Sequence, residues 1–130
     1  MSTEAASLAE AVAAAIDYLR EMFELTVEPT GNGGAIVTIH GLEIGDKWNP
    51  NVIDLTFEIA FNYPFAPIYP YYTLTELSRT DGGGWPSGLQ RIDWRGALWT
   101  QVSLRATRWN PQMDTAAGAA FQVQQWFRRA

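Results

Sequence analysis

The chain has 130 residues, a length that suits one domain of roughly 100 to 150 residues with a core of its own. Hydrophobic residues make up 47% and charged residues 18%, with six Trp, five Tyr and six Phe, which excludes a disordered composition. Cysteine is absent, which rules out disulfides, thiolate metal ligands and a cysteine nucleophile, and the net charge of −5 disfavours a phosphate-binding face.

Residues 1–78 hold eleven acids against Arg20 and Lys47, whereas residues 79–130 hold seven arginines against Asp81, Asp93 and Asp114. Either the two sets pair within the fold, or the arginines leave a surface for an acidic partner, since guanidinium groups grip carboxylates bidentately. No apolar run reaches the roughly 18 to 20 residues that span a bilayer, and the N-terminus lacks the basic flank and apolar run of a signal peptide. The expectation is a soluble, cytoplasmic protein that binds neither membrane nor nucleic acid.

From Thr3 to about Glu24, Leu8, Val12, Ile16, Leu19 and Phe23 recur at steps of three and four, which predicts an amphipathic helix. Ser2 or Thr3 can cap it, Glu4 and Glu10 suit its positive end, and Thr26, Val27 and Pro29 stop it. Thr30 to Gly34 is a turn by composition, and Ala35 to Leu42 alternates Val37 and Ile39 against Thr38 and His40, as a half-buried strand does. A second turn cluster at Asp46 to Asn51 precedes the clearest alternation, with Leu55, Phe57, Ile59 and Phe61 set against Asp54, Thr56, Glu58 and Ala60.

Pro64, Pro67 and Pro70 exclude helix and central strand from the next segment, after which Tyr71 to Leu77 resumes strand character. Thr80 to Gly88, with Gly82-Gly83-Gly84, is a long loop; it lacks the Lys and hydroxyl residue of a phosphate-binding loop. Trp94 to Leu104 is extended, and Trp109-Asn110-Pro111 leads into a helix capped by Asp114 or Thr115, with Phe121, Trp126 and Phe127 available to pack. Helix, three-strand meander, irregular segment and helix make an α+β domain. One His and scattered acids give no metal-ligand spacing, and nothing implies a cofactor.

This order, together with Tyr63-Pro64-Phe65 and Pro67 directly after the third strand and Trp109-x-Pro111 before the helix, resembles the ubiquitin-conjugating enzymes over nearly the whole chain. The resemblance implies a UBC-like fold in which these six residues are structural, with Tyr63 and Phe65 in the core. It also implies a catalytic Cys shortly before the Trp. Counting back from Trp109 puts Gln101 there and Arg91-Ile92-Asp93 in place of the family's His-Pro-Asn; counting forward from Gly96 puts Trp99 there. The position is thus bracketed by Trp99, Thr100, Gln101 and Ser103, none of which supplies a thiol. Ser or Thr would need a general base, and the lone His40 sits on a distant strand where a satisfied or solvent-facing role is expected. Asp93 in the place of the family's Asn would repel an oxyanion; it can instead pair with Arg91 or Arg95.

Relative to the family the chain is a short form, without two further C-terminal helices and with about a dozen extra residues between Leu77 and Arg91. Similarly divergent prokaryotic relatives lie beside genes for ubiquitin-like proteins and activating enzymes. Two functions remain open: a non-catalytic binding module with a ubiquitin-like protein, activating enzyme or other pathway component as partner, or an active conjugating enzyme whose Cys, within 97–103, is replaced in this sequence by a residue such as Ala97, Thr100 or Ser103. In the family the first helix faces the activating enzyme, but here its exterior carries Glu4, Glu10, Asp17, Glu21 and Glu24. The expected contact surface is therefore the stretch from Trp85 to Arg108, with Trp85, Arg91, Trp94, Arg95, Trp99, Arg105 and Arg108 as its binding residues and an acidic partner.

Overall fold

A computed structural model describes residues 8–104 and 109–130. Alternation of apolar and polar residues builds the antiparallel strands β1 (Glu24–Pro29), β2 (Ala35–Glu43), β4 (Val52–Ile59), β5 (Tyr71–Thr73), β7 (Leu89–Trp94) and β8 (Ala97–Val102). They form one six-stranded sheet in the order β1-β2-β4-β5-β8-β7. Two short strands, β3 (Trp48–Asn49) and β6 (Ser78–Arg79), pair separately. Helices α1 (Glu10–Arg20) and α2 (Ala116–Arg129) bury Val12, Ile16 and Leu19, and Ala116, Ala120, Val123 and Phe127, in one core with Val37, Ile39, Leu55, Phe57 and Ile59 of the sheet. This α+β arrangement is consistent with a UBC-like fold.

The first helix is shorter than its periodicity predicts. It starts at Glu10 after Ala9, whose methyl side chain has no oxygen to cap the helix, and it ends at Arg20. Ser2, Thr3 and Glu4 lie outside the described residues. Where only a helix stop was expected, Glu24–Pro29 is a strand, because Leu25 and Val27 are half-buried and Glu24, Thr26 and Glu28 face outward. The turn to β2 needs glycine at 34: a Cβ there would stand 2.7 Å from the Ile59 carbonyl oxygen, too close for any side chain.

Further along, strand β4 ends at Ile59, so Phe61 is exposed and does not continue the inward row. The predicted strand Tyr71 to Leu77 shrinks to Tyr71–Thr73, and the single extended stretch from Trp94 becomes a hairpin of β7 and β8. Arg95 and Gly96 turn that hairpin, with φ of 50° and 78°, the left-handed pair that a two-residue hairpin loop requires. The loop from Thr80 to Gly88 lies where expected, with turns at its start and at its end.

The Tyr-Pro-Phe and Trp-x-Pro motifs meet in space. Tyr63 is buried, its ring centroid 6.4 Å from that of Trp109, and its hydroxyl accepts a 3.0 Å hydrogen bond from the backbone N–H of Ala116 at the start of α2. Trp109 Nε1 donates to the Pro64 carbonyl at 2.6 Å. Phe65, expected in the core, is instead 75% exposed, because residues 61–65 form a turn, in which side chains two apart do not share a face as they do along a strand. Phe121 is likewise partly exposed, its ring 5.7 Å from Phe23.

At the far end of α2, Phe127 is fully buried and meets the ring of Trp48 edge-on at 5.4 Å, while Trp48 Nε1 donates to the Phe127 carbonyl at 2.8 Å. Thr115 caps the helix by accepting from Gly118 N–H at 3.0 Å. Replacing Phe127 by Ala is expected to cost about 3–5 kcal/mol and Thr115 by Ala about 1 kcal/mol, read as shifts of the urea midpoint at unchanged slope.

Candidate functional site

The bracket around the cysteine-equivalent position falls inside β8 and at its end. Thr100 has no exposed surface; its hydroxyl donates to the Thr75 carbonyl at 3.3 Å and accepts from Arg91 Nη1 at 2.8 Å. Gln101 donates to the Ser103 hydroxyl at 2.9 Å, and Trp99 Nε1 donates to the Trp94 carbonyl at 2.7 Å. None of these hydroxyls meets a base. His40, the one imidazole, lies between Thr26 Oγ1 at 2.7 Å and Asp54 Oδ2 at 3.1 Å, on the outward face of β1, β2 and β4.

A β-bulge between Ile39 and Leu42 makes that arrangement, because it turns the His40 ring and the Gly41 N–H toward the Asp54 carboxylate, which accepts from both. The order hydroxyl, imidazole, carboxylate is that of a nucleophile relay, but it stands on an open sheet surface where the hydroxyl faces water. His40 is thus satisfied by its neighbours and removed from Thr100 and Ser103.

Side-chain alternation divides the predicted binding residues between the two faces of the hairpin. Trp94 and Trp99 lie on the face of Tyr72: the rings of Tyr72 and Trp94 stack at 3.8 Å, and Trp99 meets Trp94 edge-on at 5.1 Å. Arg95 lies over the Trp94 ring, 5.5 Å from its centroid, and donates to the Glu28 carboxylate on β1. Since Tyr72 belongs to β5 and Glu28 to β1, the hairpin tip curls over the outward face and spans the strands between them.

Arg91 and Asp93 project from the other face of β7, where Arg91 bonds Thr100; neither Arg91 nor Arg95 forms an ion pair with Asp93. Trp85 is half-buried in its loop and donates Nε1 to the Leu77 carbonyl at 3.0 Å. Arg105 and Arg108 lie outside the described residues. Trp48, inside the turn cluster predicted at Asp46 to Asn51, is core. Tyr72 and Glu28 were not marked by sequence. The alternation of Tyr72 against buried Tyr71 and Thr73 is the signal that could have found the first; the Arg95 contact to Glu28 depends on the curl alone.

The outward face also carries Glu24, Asp54 and Glu58. Burial, then the charge of Glu58, then Tyr69 hold the Tyr72 phenol above its ordinary range. On the opposite side of the molecule, a groove of about 320 Å³ runs between Ala11, Ala15 and Tyr18 of α1 and Tyr63, Pro64 and Pro111, with exposed Phe65 next in the chain. Among the described residues no helix is long and apolar enough to cross a membrane, and no three His, Asp or Glu side chains gather to hold a metal ion.

The family model for prokaryotic E2 family E matches residues 13–130, and the chain belongs to that family. No curated protein and no solved structure matches it significantly.

The raised Tyr72 value gives a stability slope. A phenol that keeps its proton longer in the folded state than in the unfolded chain contributes stability below the ordinary value of about 10. That contribution is lost as pH rises through the folded value. The unfolding free energy is therefore expected to fall above about pH 10, and Trp94→Ala, by uncovering the phenol, is expected to move tyrosinate absorbance of Tyr72 to lower pH.

Proposed function

We propose that this member of prokaryotic E2 family E is a non-catalytic, protein-binding module of a ubiquitin-like conjugation pathway, acting in the cytoplasm. The observation that carries this reading is the sequence itself, which holds no cysteine. Transfer of a modifier as a thioester needs a thiolate, and an alcohol can replace it only beside a general base. Within the bracket, Thr100 is sealed in the sheet, Ser103 is bonded by Gln101, and Trp99 is part of an aromatic stack. Those positions serve structure, and the family frame around them serves recognition.

The surface we assign to the partner is the cluster of Tyr72, Trp94 and Trp99 with Arg95 beside it. Rigid aromatic rings present large area at small entropic cost, and Trp and Tyr dominate the energetics of protein contacts. Beside this cluster the Arg95 guanidinium is engaged by Glu28, and Arg91 stands on the other face of the hairpin, so neither presents a free cation to an acidic partner at the rings. Recognition then rests on the aromatic surface, with a ubiquitin-like protein, an activating enzyme or another pathway component as the partner class.

Pull-down of the ubiquitin-like protein and activating enzyme from the same source is expected to capture at least one of them. Replacing Trp94 and Trp99 by Ala with Arg95→Glu is expected to abolish capture, each lost anchor costing about 2 kcal/mol or more, while the far-ultraviolet circular dichroism stays native. Incubation with ATP and both proteins is expected to give no thiol-sensitive adduct. Capture that survives the triple replacement sinks the surface; a natural coding sequence with Cys between 97 and 103 sinks the non-catalytic reading.

A further inference from the structure

We infer that β7 is a self-complementary edge through which two copies of this chain join their sheets antiparallel, with Ile92 of one copy opposite Ile92 of the other.

The two ends of the sheet differ in how they are finished. At one end β1 is blunted as an edge: Glu24 and Glu28 project from it, Pro29 closes it, and Arg95 reaches across to Glu28. At the other end β7, Leu89–Trp94, pairs among the described residues with β8 alone. It holds no proline, and among the described residues no backbone hydrogen bond links it to any other strand. Six residues of strand with one side unpaired form a template for another strand.

The side chains then select the occupant and the register. Arg91 and Asp93 flank Ile92 symmetrically, on the same face of the strand. When two such strands run antiparallel with Ile92 on the axis, Arg91 of each copy lies directly opposite Asp93 of the other. Directly opposed side chains stand about 4.5–5.5 Å apart at Cβ, within reach of an ion pair. Moving the axis to position 91 opposes Arg91 to Arg91; moving it to position 93 opposes Asp93 to Asp93 and Arg91 to Arg95. A shift by one residue puts charged side chains on the face of Ile92 and Trp94. One register alone satisfies every charge.

Both groups are available for the role. Asp93 is exposed and has no ion pair or hydrogen bond among the described residues, and Arg91 gives one nitrogen to Thr100 and keeps further donors of its guanidinium. The ion pairs lie on the face of the hairpin opposite Trp94 and Trp99; on the docking face this register sets Gln90 of the other copy beside the edge of Trp94 and leaves the outer surface of the rings open. The dimer rests on the unpaired edge and its charges, and its test does not require that the cluster bind a partner.

Sedimentation equilibrium of the full chain is expected to give twice the mass of 14.5 kDa, with concentration-dependent dissociation. Asp93→Arg and Arg91→Asp each turn two opposite-charge pairs into two like-charge pairs and are expected to weaken the dimer at least about tenfold. When the two variants are mixed, one copy presents arginine at both positions and the other aspartate at both. Every opposed pair is then again of opposite charge, so a mixed dimer is expected to recover. Arg91→Asp also removes the bond to Thr100, but Asp93→Arg removes no internal contact, and circular dichroism checks that each is folded. A monomeric native chain, a dimer that persists in Asp93→Arg, or folded variants that fail to recombine would each overturn the inference.

Discussion

The buried phenol of Tyr63 ties together parts of the chain that are otherwise far apart. Its hydroxyl accepts from Ala116 N–H, one of the unpaired donors with which every helix begins, so the first turn of α2 is anchored to the segment leaving the sheet. Trp109 closes the same joint from the other side by donating to the Pro64 carbonyl. Fixing both ends of this joint seats α2 over the sheet, and Phe127, about three turns on, can then meet Trp48. Removing the hydroxyl would leave the Ala116 N–H buried without its partner, at the cost of its desolvation, which is why Tyr cannot be exchanged freely for Phe here.

The outward face follows a different logic. Among the described residues no helix covers it; instead the β7–β8 hairpin bends over it, held by the Tyr72–Trp94 stack and by Arg95 on Glu28. Arg95 thereby answers one of the acids that give the first part of the chain its negative charge. The charge split read from the sequence is thus partly resolved inside the fold, at a contact between the two parts, as Arg79 with Asp81 resolves another locally. Such exposed pairs add little stability and mainly orient the groups they join.

The same hairpin holds the positions that the resemblance brackets for a cysteine. A nucleophile must be reachable, whereas Thr100 is closed between β5 and β7 and spends its hydroxyl on Thr75 and Arg91.

Taken alone, the sequence determined the α+β class, the inward rows of β2 and β4, the helix through Val12, Ile16 and Leu19, a cap at Asp114 or Thr115 and the family frame of Tyr63 and Trp109. Each of these is a local period, a cap or a motif. Strand β1 was hidden because Thr26, Val27 and Pro29 end a helix as readily as they make an edge strand, and only pairing with β2 distinguishes the two. Phe65, Phe61 and Trp48 went to the opposite side of the expected surface, since apolar character does not say which aromatic finds a cavity. Tertiary structure alone placed Trp94 beside Tyr72, Arg95 on Glu28 and Arg91 on the reverse face: alternation separates neighbours in sequence to opposite faces, and the curl of the sheet brings strands distant in order together.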